Sequence, residues 1–184
     1  MGVPETVPER MSEPEPVRRS DATVVPLAMT VDGVAYAVGV EPHRTLLRFL
    51  RDDLGLVGPK EGCDDSECGA CMVLIDGQPV NACSYLALQT AGRSVTTVAG
   101  LGTADHLHPL QRSFLEAGGI QCGFCTPGML ISAAALLAAD PDPSDEAIRD
   151  ALAGNLCRCT GYQPIFEAVR RAAAELRTES SSPS

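Results

Sequence analysis

Four cysteines lie in "EGCDDSECGACMVLIDGQPVNAC", residues 61 to 83, separated by four, two and eleven residues, and four more follow in "QCGFC" and "CRC". No other feature limits the fold so tightly. Cys63, Cys68, Cys71 and Cys83 form one set; Cys122, Cys125, Cys157 and Cys159 form the other. Each set lies in a stretch short enough that a small apolar core needs help to make folding favourable. Four thiols per unit is a metal count. A disulfide framework would need an oxidising compartment and a secretion signal, and the sequence supports neither.

The first interval separates zinc from iron. Zinc knuckles are built on C-x2-C pairs, and the four-residue gap between Cys63 and Cys68 is too long for one. C-x4-C-x2-C with a distant fourth cysteine is the plant-type [2Fe-2S] arrangement. Gly62 and Gly69 suit a backbone that must come close to an anionic cluster. By spacing alone the second set fits zinc or iron. Cys125 stands just before the helix start at Thr126-Pro127, and Cys157 to Cys159 stand just before the one at Pro164. Two helix N-termini aimed at one anion favour iron–sulfide there too.

Composition excludes other partners. The net charge of -10 and a single lysine, Lys60, argue against nucleic acid, which calls for a basic patch. No apolar run approaches the roughly 20 residues of a membrane span, and the N-terminus has no apolar core of signal-peptide type. The expectation is a cytoplasmic chain. Met1-Gly2 with Thr6, and Arg18-Arg19, are read as chance matches to lipidation and export signals.

Along the chain, residues 1–22 are expected to be a disordered tail, since they carry little apolar bulk to offset ordering entropy. Residues 23–100 alternate as strands around Asp32-Gly33 and Asp76-Gly77, both hairpin turns. Between the hairpins, "TLLRFLRDDLG" places Leu46, Leu47, Leu50 and Leu54 on one helical face, capped at Thr45 and stopped at Gly55. Residues 101–177 read as four helices, and residues 178–184 as a second disordered tail. The fold class is α+β. Nothing in the chain pairs a nucleophile with a base, so no bond-making site is expected on it.

The stretches "EGCDDSECGACMVLIDG", "IQCGFCTPGML" and "GNLCRCTGYQPI" together resemble the small iron–sulfur subunit of the molybdenum hydroxylases, the xanthine dehydrogenase, aldehyde oxidoreductase and carbon monoxide dehydrogenase family. The resemblance spans about residues 24 to 176. It implies a β-grasp, plant-ferredoxin-like domain followed by an all-α four-helix domain, each with a [2Fe-2S] cluster. It also implies a large subunit carrying molybdopterin and, usually, a medium subunit carrying FAD. Single electrons would pass from molybdopterin through the helical cluster, then the ferredoxin-like one, to flavin or another acceptor. By the same resemblance Gln121 and Cys159 contact the pterin. Asp64-Asp65 and Met72 depart from the commoner family residues. The alternatives carried forward are a free two-cluster ferredoxin and a zinc-organised interaction module.

Overall fold

A computed structural model describes residues 23–180, and the expectations for the N-terminal tail and its two signals lie outside these residues. The first unit is a five-stranded sheet in the order β2-β1-β5-β3-β4. Its strands are β1 (Val25–Val31), β2 (Val34–Val40), β3 (Met72–Ile75), β4 (Gln78–Asn81) and β5 (Ser94–Thr96). Strands β1 and β5 run parallel, and the other neighbours are antiparallel. Both hairpins turn where expected: Asp32-Gly33 and Asp76-Gly77 all have positive φ, the conformation a two-residue turn matched to strand twist requires. The Asp32 carboxylate then accepts from the Thr97 amide and hydroxyl, both at 2.7 Å, pinning the end of β5.

One face of the sheet buries Leu27, Val31, Val73, Ile75 and Val95 against Leu46, Leu47, Phe49 and Leu50. These last four belong to α1 (Leu46–Arg48), capped by the Thr45 hydroxyl and widening into a π-turn over Phe49–Asp53. The expected apolar face of Leu46, Leu47, Leu50 and Leu54 does pack on this core, and what is corrected is the regular α geometry. An extra residue in the turn, closed by Leu54 N–H to the Phe49 carbonyl at 3.1 Å, brings Phe49 into the core beside Leu50, while Leu54 is only half-buried. Such insertions are local departures from the α pattern that periodicity cannot reveal.

The second unit packs α2 (Pro109–Glu116), α3 (Thr126–Ala139), α4 (Asp145–Leu152) and α5 (Gln163–Ser180) around Leu110, Phe114, Met129, Leu137, Ile148, Leu152, Ile165 and Val169. Val98 and Leu101 already lean on this core, so packing changes hands ahead of residue 100. The last helix runs through Ser180, three residues into the stretch read as a tail. No helix among the described residues is long and apolar enough to cross a membrane.

Helix α2 carries a pH-sensitive cap. The Leu110 amide donates to His108 Nδ1 at 3.1 Å, a bond only the neutral ring can accept. Burial holds the His108 pKa below its ordinary 6.5, with Arg112 nearby acting in the same direction and Glu179 against it. Because the folded value is the lower one, the unfolded chain binds the extra proton first as pH falls. The stabilisation is therefore complete above about pH 6.5 and is lost on acidification below it. His108→Asn, which caps without titrating, should flatten this part of the stability–pH curve. Chemical denaturation at pH 7.5 and 5.5 will show a difference on the scale of a helix cap, about 1 kcal/mol.

Candidate metal centres

All eight cysteines are free thiols, and the fold gathers them into the two sets read from the sequence. Within each set they lie in pairs. The Cys68 amide reaches Cys63 Sγ at 3.4 Å, and the Cys71 and Cys83 sulfurs interact directly. In the helical unit Cys159 Sγ lies 3.5 Å from Cys122 Sγ, and Cys125 pairs with Cys157. A tetrahedral zinc site draws four ligands round one ion, whereas two pairs suit a cluster of two irons bound by four thiolates.

The backbone around the first set is shaped for an anion. Residues Asp64, Ser66 and Gly69 all adopt positive φ, and so wrap the loop tightly. A Cβ on Gly62 would stand 2.7 Å from Cys68 Sγ, so only glycine leaves that sulfur its space. Amides of Asp65 and Cys68 point at Cys63, and that of Ala70 at Cys68. Asn81 closes the loop, donating to the Ser66 carbonyl at 3.0 Å. Burial pushes Cys71 up to about 12, so without metal it holds its proton. Ligation must displace that proton, and metal affinity at such thiols rises with pH.

Four carboxylates, Glu61, Asp64, Asp65 and Glu67, leave the cysteine loop acidic. Arg48 offsets Glu61 at 2.7 Å and Asp64 at 3.3 Å, while Asp65 has no basic partner among the ion pairs of the described residues. Asp65→Asn should therefore raise the reduction potential of a cluster held here, on the order of tens of millivolts for one screened charge. Asp64→Asn should do less, and redox titration distinguishes the two.

In the helical unit Cys122 and Cys159 are exposed, while Cys125 and Cys157 sit half-buried behind them. Cys125 is the N-cap of α3, as expected. The Phe124 amide leads the causes that lower Cys122. Burial works to raise Cys157, but the Thr160 hydroxyl, 3.2 Å away, and the amides of Thr160 and Cys159 outweigh it, and its pKa falls. Burial pushes Cys125 up to about 12. Gln121 is exposed beside Cys122.

The two sets meet. The Leu156 amide donates to the Cys68 carbonyl at 3.0 Å, and the buried Asn155 amide donates to the Gly69 carbonyl at 3.1 Å. A Cβ on Gly128, in the first turn of α3, would fall 2.0 Å from that same Gly69 oxygen. Asn155, Thr160, Tyr162 and Asn81 escaped the sequence reading. Proximity to a cysteine in "GNLCRCTGY" was the one available signal, and it does not say which polar side chain is turned inward.

The fold and site define a two-domain [2Fe-2S] protein: residues 29–94 match the family described as 2Fe-2S iron-sulfur cluster binding domain, and residues 97–170 the [2Fe-2S] binding domain. The nicotinate dehydrogenase small FeS subunit of Eubacterium barkeri is 47% identical over 148 residues, covering 80% of this chain and 94% of that one. Quinoline 2-oxidoreductase from Pseudomonas putida 86 includes a chain superposing with a TM-score of 0.81 at 42% identity, over 86% of this chain and 99% of that one. In aldehyde oxidoreductase from Desulfovibrio gigas the match has a TM-score of 0.82 at 42% identity, and covers 84% of this chain but 17% of that one. The chain belongs to the small [2Fe-2S] iron–sulfur subunits of the molybdenum hydroxylases, and its role in such oxidoreductase complexes is electron transfer.

Proposed function

We propose that this chain relays single electrons from a molybdopterin centre on a large partner subunit to FAD on a further subunit, or to another acceptor. Cys63, Cys68, Cys71 and Cys83 hold one [2Fe-2S] cluster; Cys122, Cys125, Cys157 and Cys159 hold the second. When bound, each cluster takes up and releases one electron. The protein's part is to position them, exclude water from Cys71 and Cys83, and direct amides at the sulfurs.

The observation that carries this reading is the arrangement of the thiols: two sets of paired sulfurs, the helical set with its outer pair exposed, joined to the other by one backbone hydrogen bond. The exposed Cys122 and Cys159, with Gln121 beside them, support docking of the helical unit against the pterin. Phe124 and Leu156, 48% and 58% exposed, border the same loops, an apolar surface suited to burial by a partner. Arg158 lies between the two ligand cysteines, exposed and without a partner among the described residues. Arg158→Glu should weaken association with the large subunit at least about tenfold, as loss of an interface arginine does, with both clusters retained.

Native purification tests the whole reading. Iron and acid-labile sulfide should be present in equal amounts, and the chain should co-elute with a molybdenum-bearing subunit. Elution alone with both clusters would favour a free ferredoxin; zinc without colour would favour the interaction module. Substituting Gln121 should slow reduction of the iron by molybdenum and leave both clusters assembled. An unchanged rate would remove that residue's role.

A further inference from the structure

We infer that Asn155 is a positioning residue which sets the register between the two cysteine loops, and through it the rate at which an electron crosses from one cluster to the other. This rests on the two-cluster reading above and goes beyond it. Asn155 is 1% exposed, and a polar side chain so buried must have its hydrogen bonds met. Its amide nitrogen donates to the Gly69 carbonyl at 3.1 Å, and its side-chain oxygen accepts from the Ser132 hydroxyl at 2.7 Å. Its backbone is held as well: the N–H donates to the Leu152 carbonyl at 2.9 Å, and the carbonyl accepts from the Tyr162 hydroxyl at 3.4 Å. One residue thus ties the first cysteine loop, α3, the end of α4 and the entry to α5.

The tie falls between ligands. Gly69 follows Cys68, and Asn155 comes two residues before Cys157. Between them lies the Leu156 amide, bonded to the Cys68 carbonyl at 3.0 Å. In the crossing itself one cluster loses an electron and the other gains it; no bond forms and no proton moves. Its rate therefore depends on the separation and contact of the two loops, and these are what Asn155 holds. No other side chain serves in this space. Aspartate loses the donor to Gly69 and brings a charge into a buried site. Glutamine is one methylene too long where a Cβ on Gly69 would already lie 2.5 Å from Asn155 Nδ2. Alanine leaves the Ser132 hydroxyl without its carbonyl partner.

The experiment uses the full chain with both clusters assembled, wild type against Asn155→Ala and Ser132→Ala. The second variant keeps the Asn155 donor but frees its amide to turn, and so tests the same device with little risk to folding. In the wild type, fully reduced, the two paramagnetic signals should split one another. In Asn155→Ala the splitting should shrink at unchanged iron content. The Leu156 amide should exchange with solvent on the order of tenfold faster, the effect of losing a buried hydrogen bond. Crossing after flash reduction should slow on the order of tenfold or more, the scale at which misplacement by an ångström acts on positioned reactants. Ser132→Ala should move all three readouts the same way by less. Unchanged splitting and exchange in Asn155→Ala with both clusters present would overturn the inference. If Asn155→Ala does not assemble, unchanged readouts in Ser132→Ala would overturn it instead. A wild type with fewer than two clusters would sink the underlying reading, a distinguishable failure.

Discussion

Cys125→Ser will leave the protein with half its iron and one of two electron paramagnetic resonance signals, and Cys68→Ser will remove the other signal. A serine hydroxyl at Cys125 cannot replace the thiolate that iron–sulfur centres take from cysteine. The helix should survive the change. Cys125 is the N-cap of α3 and makes no side-chain cap bond, and serine is among the residues preferred at such a position. What is lost is the cluster and the folding free energy that metal ligation contributes to a small domain. Cys68 is half-buried in the other loop, and its replacement acts on the ferredoxin-like unit alone if the two units hold their clusters independently. Iron analysis, acid-labile sulfide and the two spectra measure this together. Loss of both signals from either change would show that the units assemble as one.

The second large effect lies where the units touch, at Gly128. Alanine there would put a methyl 2.0 Å from the Gly69 carbonyl oxygen and 2.9 Å from Asn155 Nδ2. Neither can yield. The Gly69 oxygen is backbone, held in a loop of positive φ, and Asn155 is buried among its hydrogen bonds. Relief requires α3 to move off the cysteine loop. That would open the contact through which Ser132 and Met72 also meet, at 2.7 Å. Overpacking of this kind costs about 3 kcal/mol or more. Urea unfolding of Gly128→Ala should show it, together with weakened retention of both clusters. Gly154→Ala is the control, since an added methyl there meets nothing within 4 Å, and it should be close to neutral. Equal midpoints for the two variants would mean that the Gly69–Gly128 contact does not hold the units together.

Much of this was legible beforehand because the signals are local. Hairpins at Asp32-Gly33 and Asp76-Gly77 follow from two residues each, and the cap at Thr45 from one. The π-turn at Phe49–Asp53 was not legible, since "TLLRFLRDDLG" satisfies a helical period whether or not the turn widens. Phe49 is drawn inward by the sheet opposite it, which no local pattern encodes. The inward turn of Asn155 was hidden for the same reason: "GNLCRC" does not say that Gly69, 86 residues earlier, will present a carbonyl to it.

The spacing of Cys63, Cys68, Cys71 and Cys83 was enough by itself to mark one iron–sulfur unit, because ligand geometry is counted in residues along a loop, whereas the second set also needed its place before two helix starts and the family resemblance. The pairing of those thiols, the exposure of Cys122 and Cys159, and the junction of Asn155 with Gly69 and Gly128 came only with the folded chain. These depend on backbone approaching backbone across long sequence separations, where a missing methyl in one domain makes room for a carbonyl of the other.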